Sequence, residues 1–241
     1  MATGLALLPF ASANAFETAQ GVTATPITTL PFTITTSGNY YLPANLTVAL
    51  ATGSAITIAA SEVILDLNGR SLINVTGSNQ ANGVFVFNQV DVTIQNGDID
   101  GFGIGVYFSP NSTDVNAKNT ALNLRLNHNT IGVASVSGTS NLVRLCIIDG
   151  GSIGIFFNQD LGSRAEDNIL ELQAPTELNQ TGIALVSASS HGVVFDNNVV
   201  AAGQKTGQVM SGTDKFRFES FVGFATLGPF VGGLDEGARS R

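Results

Sequence analysis

Short apolar segments recur along the chain, and a glycine opens each of them. They are Gly83-Val84-Phe85-Val86, Gly105-Val106-Tyr107-Phe108, Gly132-Val133, Gly154-Ile155-Phe156-Phe157 and Gly182-Ile183-Ala184-Leu185. These glycines stand roughly 22 to 28 residues apart, within the period range of solenoid repeats. The pattern predicts one short strand per coil of a stacked β-structure.

A second repeated element follows most of these glycine-led segments. We align LNGRSL (67–72), IQNGDI (94–99), LNHNTI (126–131), IDGGSI (148–153), AEDNIL (165–170) and FDNNVV (195–200). Each begins and ends with an apolar residue, and its second position is polar. Its third and fourth positions are mostly Gly, Asn or Asp, which tolerate a positive φ. The alignment predicts a bend at the same place in every coil.

Stacking these bends predicts columns of side chains, with neighbouring coils about 4.8 Å apart. The first expected apolar column is Leu67, Ile94, Leu126, Ile148, Ala165 and Phe195. The second is Leu72, Ile99, Ile131, Ile153, Leu170 and Val200. A single coil cannot bury such a stripe, so stacking supplies the core. We therefore expect an all-β fold, a right-handed parallel β-helix of about 6–8 coils with terminal caps.

The two ends differ from the middle. Residues 1–20 contain a short apolar run and Ala13-Asn14-Ala15, which resembles a secretion cleavage site. We interpret them as a signal remnant or an N-terminal cap. Residues 21–212 form the expected β-helix domain. Residues 213–241 are rich in Phe and Gly, which is typical of a cap over the last coil followed by a tail.

Composition narrows the classes of partner. Charged residues make up 12% of the chain, and the net charge of −8 with ten scattered basic residues disfavours nucleic acid. No apolar run is long enough to span a membrane. The one cysteine, Cys146, lies between Leu145 and Ile147, which indicates a buried core thiol rather than a reactive one.

Several longer segments support a family resemblance. TPITTLPFTITTSGNYYLPANL, AITIAASEVILDLNGRSL, the Gly/Asn-punctuated coils and DKFRF resemble secreted right-handed parallel β-helix repeat proteins of the NosD-like and pectate-lyase-like superfamily. The resemblance covers roughly residues 26–235. It implies export and contact with polysaccharide, while the superfamily includes lyases, hydrolases, epimerases and adhesins.

One candidate binding site is acidic. The alignment places Asp149, Glu166 and Asp196 on consecutive coils, with Asp167 alongside. Carboxylates at such spacing recruit a cation, so Ca²⁺ is the one candidate cofactor, held by Asp149, Glu166 and Asp196. The same column can also bind a sugar. The alternative is that these are turn carboxylates that accept backbone N–H groups.

A second candidate site is basic. Arg125, Arg144 and Arg164 are expected to point outward on successive coils, and such a row suits a lyase that removes a proton beside a uronate carboxylate. The alternative is a solvated face paired with acids. Ser190-His191-Gly192, with Asp196 nearby, is faintly similar to a polygalacturonase segment, but the other motifs of that class are absent.

These observations favour a secreted, non-enzymatic module that binds a cell-surface glycan or builds extracellular structure. The alternatives are a polysaccharide lyase or glycoside hydrolase, and a self-assembling filament subunit with exposed backbone at its ends. Four sequons, at Asn45, Asn74, Asn111 and Asn179, are candidate glycosylation sites.

Overall fold

A computed structural model describes residues 23–109, 116–172, 181–186, 191–195, 198–210, 215–217 and 220–225. This part of the chain contains β-strands and no helix. The strands are β1 Ala24–Pro26, β2 Phe32–Ile34, β3 Gly38–Tyr41, β4 Leu46–Val48, β5 Gly53–Ile58, β6 Val63–Asn74, β7 Ala81–Phe87, β8 Thr93–Asp100, β9 Ile104–Ser109, β10 Thr120–Asn127, β11 Ile131–Val136, β12 Leu142–Arg144, β13 Ile147–Asp149, β14 Ile153–Asn158, β15 Leu161–Glu166, β16 Ile169–Leu172, β17 Thr181–Val186, β18 His191–Phe195, β19 Asn198–Met210, β20 Lys215–Arg217 and β21 Ser220–Ala225.

All pairings are parallel, and each strand pairs with its equivalent in the next coil. The chain is a parallel β-helix with about five turns in the described residues, which confirms the expected fold class. Its strands form two sheets. The bent sheet contains β1, β3, β4, β6, β8, β10, β12, β13, β15, β16, β18, β20, β21 and the first part of β19. The uncharged sheet contains β2, β5, β7, β9, β11, β14, β17 and the last part of β19.

Residues with positive φ mark the corners of the coils, and two of these corners contain the predicted bends. The first corner folds the bent sheet at its middle, at Asn96, Asn123, Leu145 and Asp167. The second leads from the bent sheet to the uncharged sheet, at Gly101, His128 and Gly150. The predicted bend chemistry is therefore confirmed, but one predicted bend corresponds to two real ones.

The register corrects the expected columns accordingly. IQNGDI and AEDNIL lie at the first corner, whereas LNHNTI and IDGGSI lie at the second. One buried column of the bent sheet is Tyr40, Leu65, Ile94, Ala121, Val143 and Ala165. The other stacks Leu72, Ile99, Leu126, Ile148 and Leu170. The remaining members of the expected columns lie elsewhere. Leu67 is beside a register shift, and Ile131 and Ile153 belong to the uncharged sheet. Phe195 and Val200 each lie one residue after the position that pairs with its column, because Ala165 pairs with Val194 and Leu170 with Val199.

The recurring glycines have a packing reason. A Cβ on Gly83, Gly105 or Gly132 would lie 2.6–2.7 Å from the carbonyl oxygen of the next glycine in the column. It would also lie 2.6–2.9 Å from side chains of the second bent-sheet column, which are Ile99, Leu126 and Ile148 respectively. Real carbon atoms do not approach so closely. Glycine therefore recurs because the two sheets meet along this line with no room for a methyl group.

Polar side chains complete the inner side of a third corner, where the uncharged sheet returns to the bent sheet. Asn119 Oδ1 accepts the backbone N–H of Val92 at 3.0 Å, and Asn141 Oδ1 accepts that of Asn119 at 2.8 Å. Ser163 Oγ accepts the N–H of Asn141 at 3.1 Å. Because these three side chains are fully buried, the ladder supplies partners that water cannot.

The expected terminal regions are only partly visible. Residues 1–20 lie outside the described residues. Within the expected C-terminal cap, β20 and β21 continue the bent sheet by pairing with β18 and β19.

Candidate functional site

The predicted acidic column divides into two in the structure. Asp149 pairs in register with Asn127 and Glu171, whereas Glu166 pairs with Arg144 of the preceding coil. Asp149 and Glu166 are therefore on different halves of the bent sheet and do not stack, so the expected Asp149–Glu166 ladder is wrong. Its third member, Asp196, lies outside the described residues.

Asp167 and Glu166 each have a basic partner. Asp167 occupies the first corner with a φ of 54° and accepts Arg144 Nε at 3.0 Å. Glu166 Oε1 lies 3.1 Å from Arg164 Nη1. In both pairs the arginine is about half exposed, so water screens the attraction and the pair adds little stability. This arrangement matches the alternative interpretation of a solvated, paired face.

The expected arginine row is also corrected. Arg125, Arg144 and Arg164 all point outward and are exposed, as predicted. However, Arg125 stacks on Ile147, Arg144 on Leu122 and Arg164 on Leu142, in three separate columns. Arg125 lies on the other side of the first corner from Arg144, and Arg164 lies two positions before Glu166, the residue that pairs with Arg144. The three guanidinium groups therefore do not form one basic row.

The acidic column that the register does form is Asp100, Asn127, Asp149 and Glu171. His128 Nδ1 lies 3.0 Å from Asp100 Oδ1 on an exposed surface. Among the described residues, no three His, Cys, Asp or Glu side chains converge as a metal ion would require. Calcium binding by Asp149, Glu166 and Asp196 stays a prediction without the stacked geometry that suggested it.

Burial accounts for Cys146. It is fully buried in the core, which confirms the sequence interpretation. Its Sγ lies 3.6 Å from the carbonyl oxygen of Ala121, and burial raises the thiol pKa to about 12. Because the thiolate is the nucleophilic form, this residue is an inert part of the core.

A buried carboxyl group lies beside the asparagine ladder. Asp160 is fully buried, and its Oδ1 accepts the backbone N–H of Gly138. Desolvation raises the pKa of Asp160, although hydrogen bonds from the Ser135 hydroxyl, the Gly138 amide and the Ser163 hydroxyl oppose the rise. In the described part of the chain, its Oδ2 has no hydrogen-bond partner. Substrates cannot reach it.

The outer surface of the uncharged sheet carries a row of aromatic side chains. In register order the row is Thr57, Phe85, Tyr107, Ala134, Phe156 and Ala184. Side chains along these strands alternate between the inside and the outside. In the first three coils the residues on either side of each row member are fully buried, so the row member itself faces outward. Phe85, Tyr107 and Phe156 are partly exposed, while Ala134 and Ala184 are buried. We call this row the aromatic row.

The rings of Phe85, Tyr107 and the neighbouring Phe87 are close enough to form one surface. The ring centroids of Phe85 and Tyr107, on adjacent coils, are 5.4 Å apart with planes tilted by 37°. Phe87 lies 5.6 Å from Phe85 and is 38% exposed. Partly exposed aromatic rings with fixed neighbours are common contact groups in binding sites, because they offer a large, stiff apolar area.

Apolar side chains flank the aromatic row on one side. Ile104, Ile131 and Ile153 stack in register and are partly exposed. Polar groups are nearby: the Asn82 Nδ2 donates to Ser54 Oγ at 3.3 Å, and Asn158 stacks beside Val136. None of β5, β7, β9, β11, β14 and β17 contains Asp, Glu, Lys or Arg.

The sequence contained a signal for this surface. The second residue after the repeat glycine is aromatic in three coils: Phe85, Tyr107 and Phe156. Apolar neighbours on both sides made these residues look like part of a continuous core run. Only the alternation of burial in the structure separates them from it.

Two of the four sequons can be placed. Asn74 is buried, and its side-chain amide donates to and accepts from the backbone of Leu50. In the folded chain this amide is therefore not exposed for glycosylation. Asn45 Oδ1 accepts the N–H of Ser71 on an exposed surface. Asn111 and Asn179 lie outside the described residues.

Comparison with protein-family models, curated proteins and solved structures gave no significant match. No helix in the described residues is long and apolar enough to cross a membrane. The fold and the surface chemistry therefore carry the functional argument.

Proposed function

We propose that this chain is a secreted, non-enzymatic β-helix module that binds a glycan on the outer surface of the uncharged sheet. The observation that carries the proposal is the aromatic row, in which Phe85 and Tyr107 stack on adjacent coils with Phe156 further along the same line. Export, and a place among the NosD-like and pectate-lyase-like proteins, are parts of the proposal that rest on the sequence resemblance.

The chemistry of a sugar ring suits such a row. One face of a pyranose presents C–H groups, which pack against the negative face of an aromatic ring, while its hydroxyls stay at the edges for hydrogen bonds. A glycan chain laid along the row meets the rings of Phe85 and Tyr107 on adjacent coils and the ring of Phe156 two coils after Tyr107. Amide side chains beside the row, such as Asn82 and Asn158, are of the type that bonds sugar hydroxyls.

The size of the surface favours an extended ligand over a second copy of the chain. Five coil spacings and a strand of six residues give about 24 by 20 Å, or about 500 Å². A stable protein interface needs about 800 Å² from each partner, more than this surface supplies. An apolar surface of this size is nevertheless at the upper end of what monomers expose, and such patches are often binding sites.

The proposal is tested by sedimentation of the protein with insoluble polysaccharides and by titration with soluble ones. We expect Phe85→Ala and Tyr107→Ala each to weaken glycan binding about fivefold, in line with about 1 kcal/mol for one aromatic contact. Leu161→Ala is the matched control, since Leu161 is 51% exposed but belongs to the bent sheet. Thermal melting verifies that each variant is folded.

Two results would overturn the proposal. One is that no polysaccharide in a broad panel binds. The other is that the Phe85 and Tyr107 variants bind as tightly as the Leu161 control. An assay for released sugar in the same samples tests the enzymatic alternative, because a lyase or hydrolase would shorten the polysaccharide.

A further inference from the structure

The charge distribution of the uncharged sheet says which glycans its outer surface can accept. The six strands β5, β7, β9, β11, β14 and β17 contain no acidic or basic residue, and the aromatic row runs through their centre. The acids and arginines of the described coils are concentrated on the bent sheet, for example Asp149 and Arg164. A ligand on the aromatic row therefore meets no opposite charge from the strand beneath it.

This absence has a consequence for charged sugars. A uronate that stacks on Phe85 or Tyr107 gives up part of the hydration of its carboxylate and gains no guanidinium or ammonium group from these strands. Even a partial loss of hydration is unfavourable for a carboxylate that gains no partner, and the gain from one ring is only about 1 kcal/mol. The desolvation of the carboxylate therefore opposes the stacking.

The long-range field acts in the same direction. The whole chain carries a net charge of −8. A polyanionic chain is therefore repelled on approach at low ionic strength, and only salt relieves the repulsion. A neutral chain experiences neither penalty.

We infer that the glycan bound on the aromatic row is a neutral polysaccharide and that uronate-containing polysaccharides are excluded. The inference rests on the proposed function, since it concerns the ligand class of the same surface. It depends on two independent features of the described residues, the uncharged strands and the aromatic rings at Phe85, Tyr107 and Phe156.

The test uses pairs of polysaccharides that differ only in charge. Neutral glucan, mannan and galactan are compared with the same polymers oxidised at C6 to carboxylates. We expect at least one neutral polymer to bind, its oxidised form to bind at least tenfold more weakly, and the neutral affinity to change less than twofold between low and high salt. Phe156→Ala should weaken binding to the neutral polymer.

The outcomes separate the two proposals. Preferred binding of an oxidised polymer that salt and Phe156→Ala both weaken overturns the neutral-glycan inference, while glycan binding on the aromatic row stands. Equal binding of neutral and oxidised forms overturns the inference as well. Absence of binding to every polymer overturns glycan binding itself, and the inference with it.

A matched variant sharpens the result. Thr57→Lys introduces a cation on the same row, one coil before Phe85, at a partly exposed position. If the missing cation excludes carboxylates, this variant gains affinity for the oxidised polymer at low salt and keeps its affinity for the neutral one. An unchanged ratio between the two polymers contradicts the charge argument.

Discussion

The two sheets of this solenoid use their outer surfaces differently. On the bent sheet the outward residues change character from coil to coil, as in the row Asp98, Arg125, Ile147 and Ile169. On the uncharged sheet they stay uncharged throughout, and three of six members of the central row are aromatic. Stacking alone does not require an aromatic outer row, because the bent sheet stacks without one. The outer surface of the uncharged sheet is therefore the better candidate for binding one ligand across several coils. The outer surface of the bent sheet is better explained by contact with solvent.

The two sheets also differ along the line of glycines. There the uncharged sheet has no side chain, while the bent sheet places large aliphatic residues opposite, such as Ile99 and Leu126. Four substitutions test the differences between the two sheets and the corners that join them, and we order them by the size of the expected effect.

The largest effect is expected at the glycine column. In Gly132→Ala the new methyl group would lie 2.6 Å from the carbonyl oxygen of Gly154 and 2.7 Å from Ile148. Overpacking against backbone is difficult to relieve, so we expect a loss of about 3 kcal/mol in the free energy of unfolding, measured by urea denaturation. Thr57→Ala, outward on the same sheet, is the control and should change stability by less than about 0.5 kcal/mol. Equal losses of stability in the two variants would mean that the two sheets can move apart at Gly132 without a loss of free energy.

The next effect concerns Asp160 and depends on pH. Because burial raises its pKa in the folded state, the folded protein holds this proton more tightly than the unfolded chain. This contribution to stability is therefore fully present below the ordinary carboxyl pKa of 3.8 and is lost as pH rises through the raised value. We expect Asp160→Asn to melt at a higher temperature than wild type at pH 7, with the difference disappearing near pH 3. A difference that does not vary with pH would contradict a raised pKa at this buried carboxyl group.

A smaller effect, also stabilising, is expected at the first corner. Leu145 has a φ of 54° and is 49% exposed, whereas Asn96 and Asn123 occupy the same position in neighbouring coils. Because leucine is strained in this region and asparagine is tolerated, Leu145→Asn should stabilise the fold by about 1 kcal/mol. Leu161→Asn is the matched control. Leu161 is about as exposed as Leu145 but has ordinary backbone geometry, so the melting temperature of this variant should not rise.

The smallest effect is expected at the ion pairs of the bent sheet. Arg144→Gln removes the pair with Asp167, whose side chains are 47% and 37% exposed respectively. Such pairs contribute about 0–1 kcal/mol, so the midpoint of denaturation should barely move. A double-mutant cycle with Asp167→Asn isolates the pair itself. A coupling above about 1 kcal/mol would show that charge matters more on this sheet than its exposure suggests.

Periodicity was sufficient to predict the class of fold, because the glycine column and the positive-φ bends are local requirements that every coil repeats. The register between coils was not predictable in the same way. His128 and Asp167 both follow an apolar and a polar residue, yet they belong to different corners. A pattern that satisfies two corners equally well cannot identify which one it occupies, and the expected pairing of Asp149 with Glu166 failed for that reason.

The candidate site was missed for a related reason. Phe156 and Phe157 are adjacent and equally apolar in sequence, but Phe157 is fully buried and Phe156 faces outward. Which of the two lies in the core depends on the pleat phase of the strand after Gly154, where a Cβ would meet Leu170 of the opposite wall. The apolar pattern of Ile155, Phe156 and Phe157 does not show this phase.

The glycine column also determines which deletions and insertions in the strands the fold can accept. Each glycine must face the large aliphatic residue across from it, so a deletion within a strand would set every later glycine against the wrong neighbour. Removing one complete turn, such as the 22 residues that separate Asn119 from Asn141, leaves all such pairs in phase. The chain can thus be shortened or extended as a modular rod, one turn at a time.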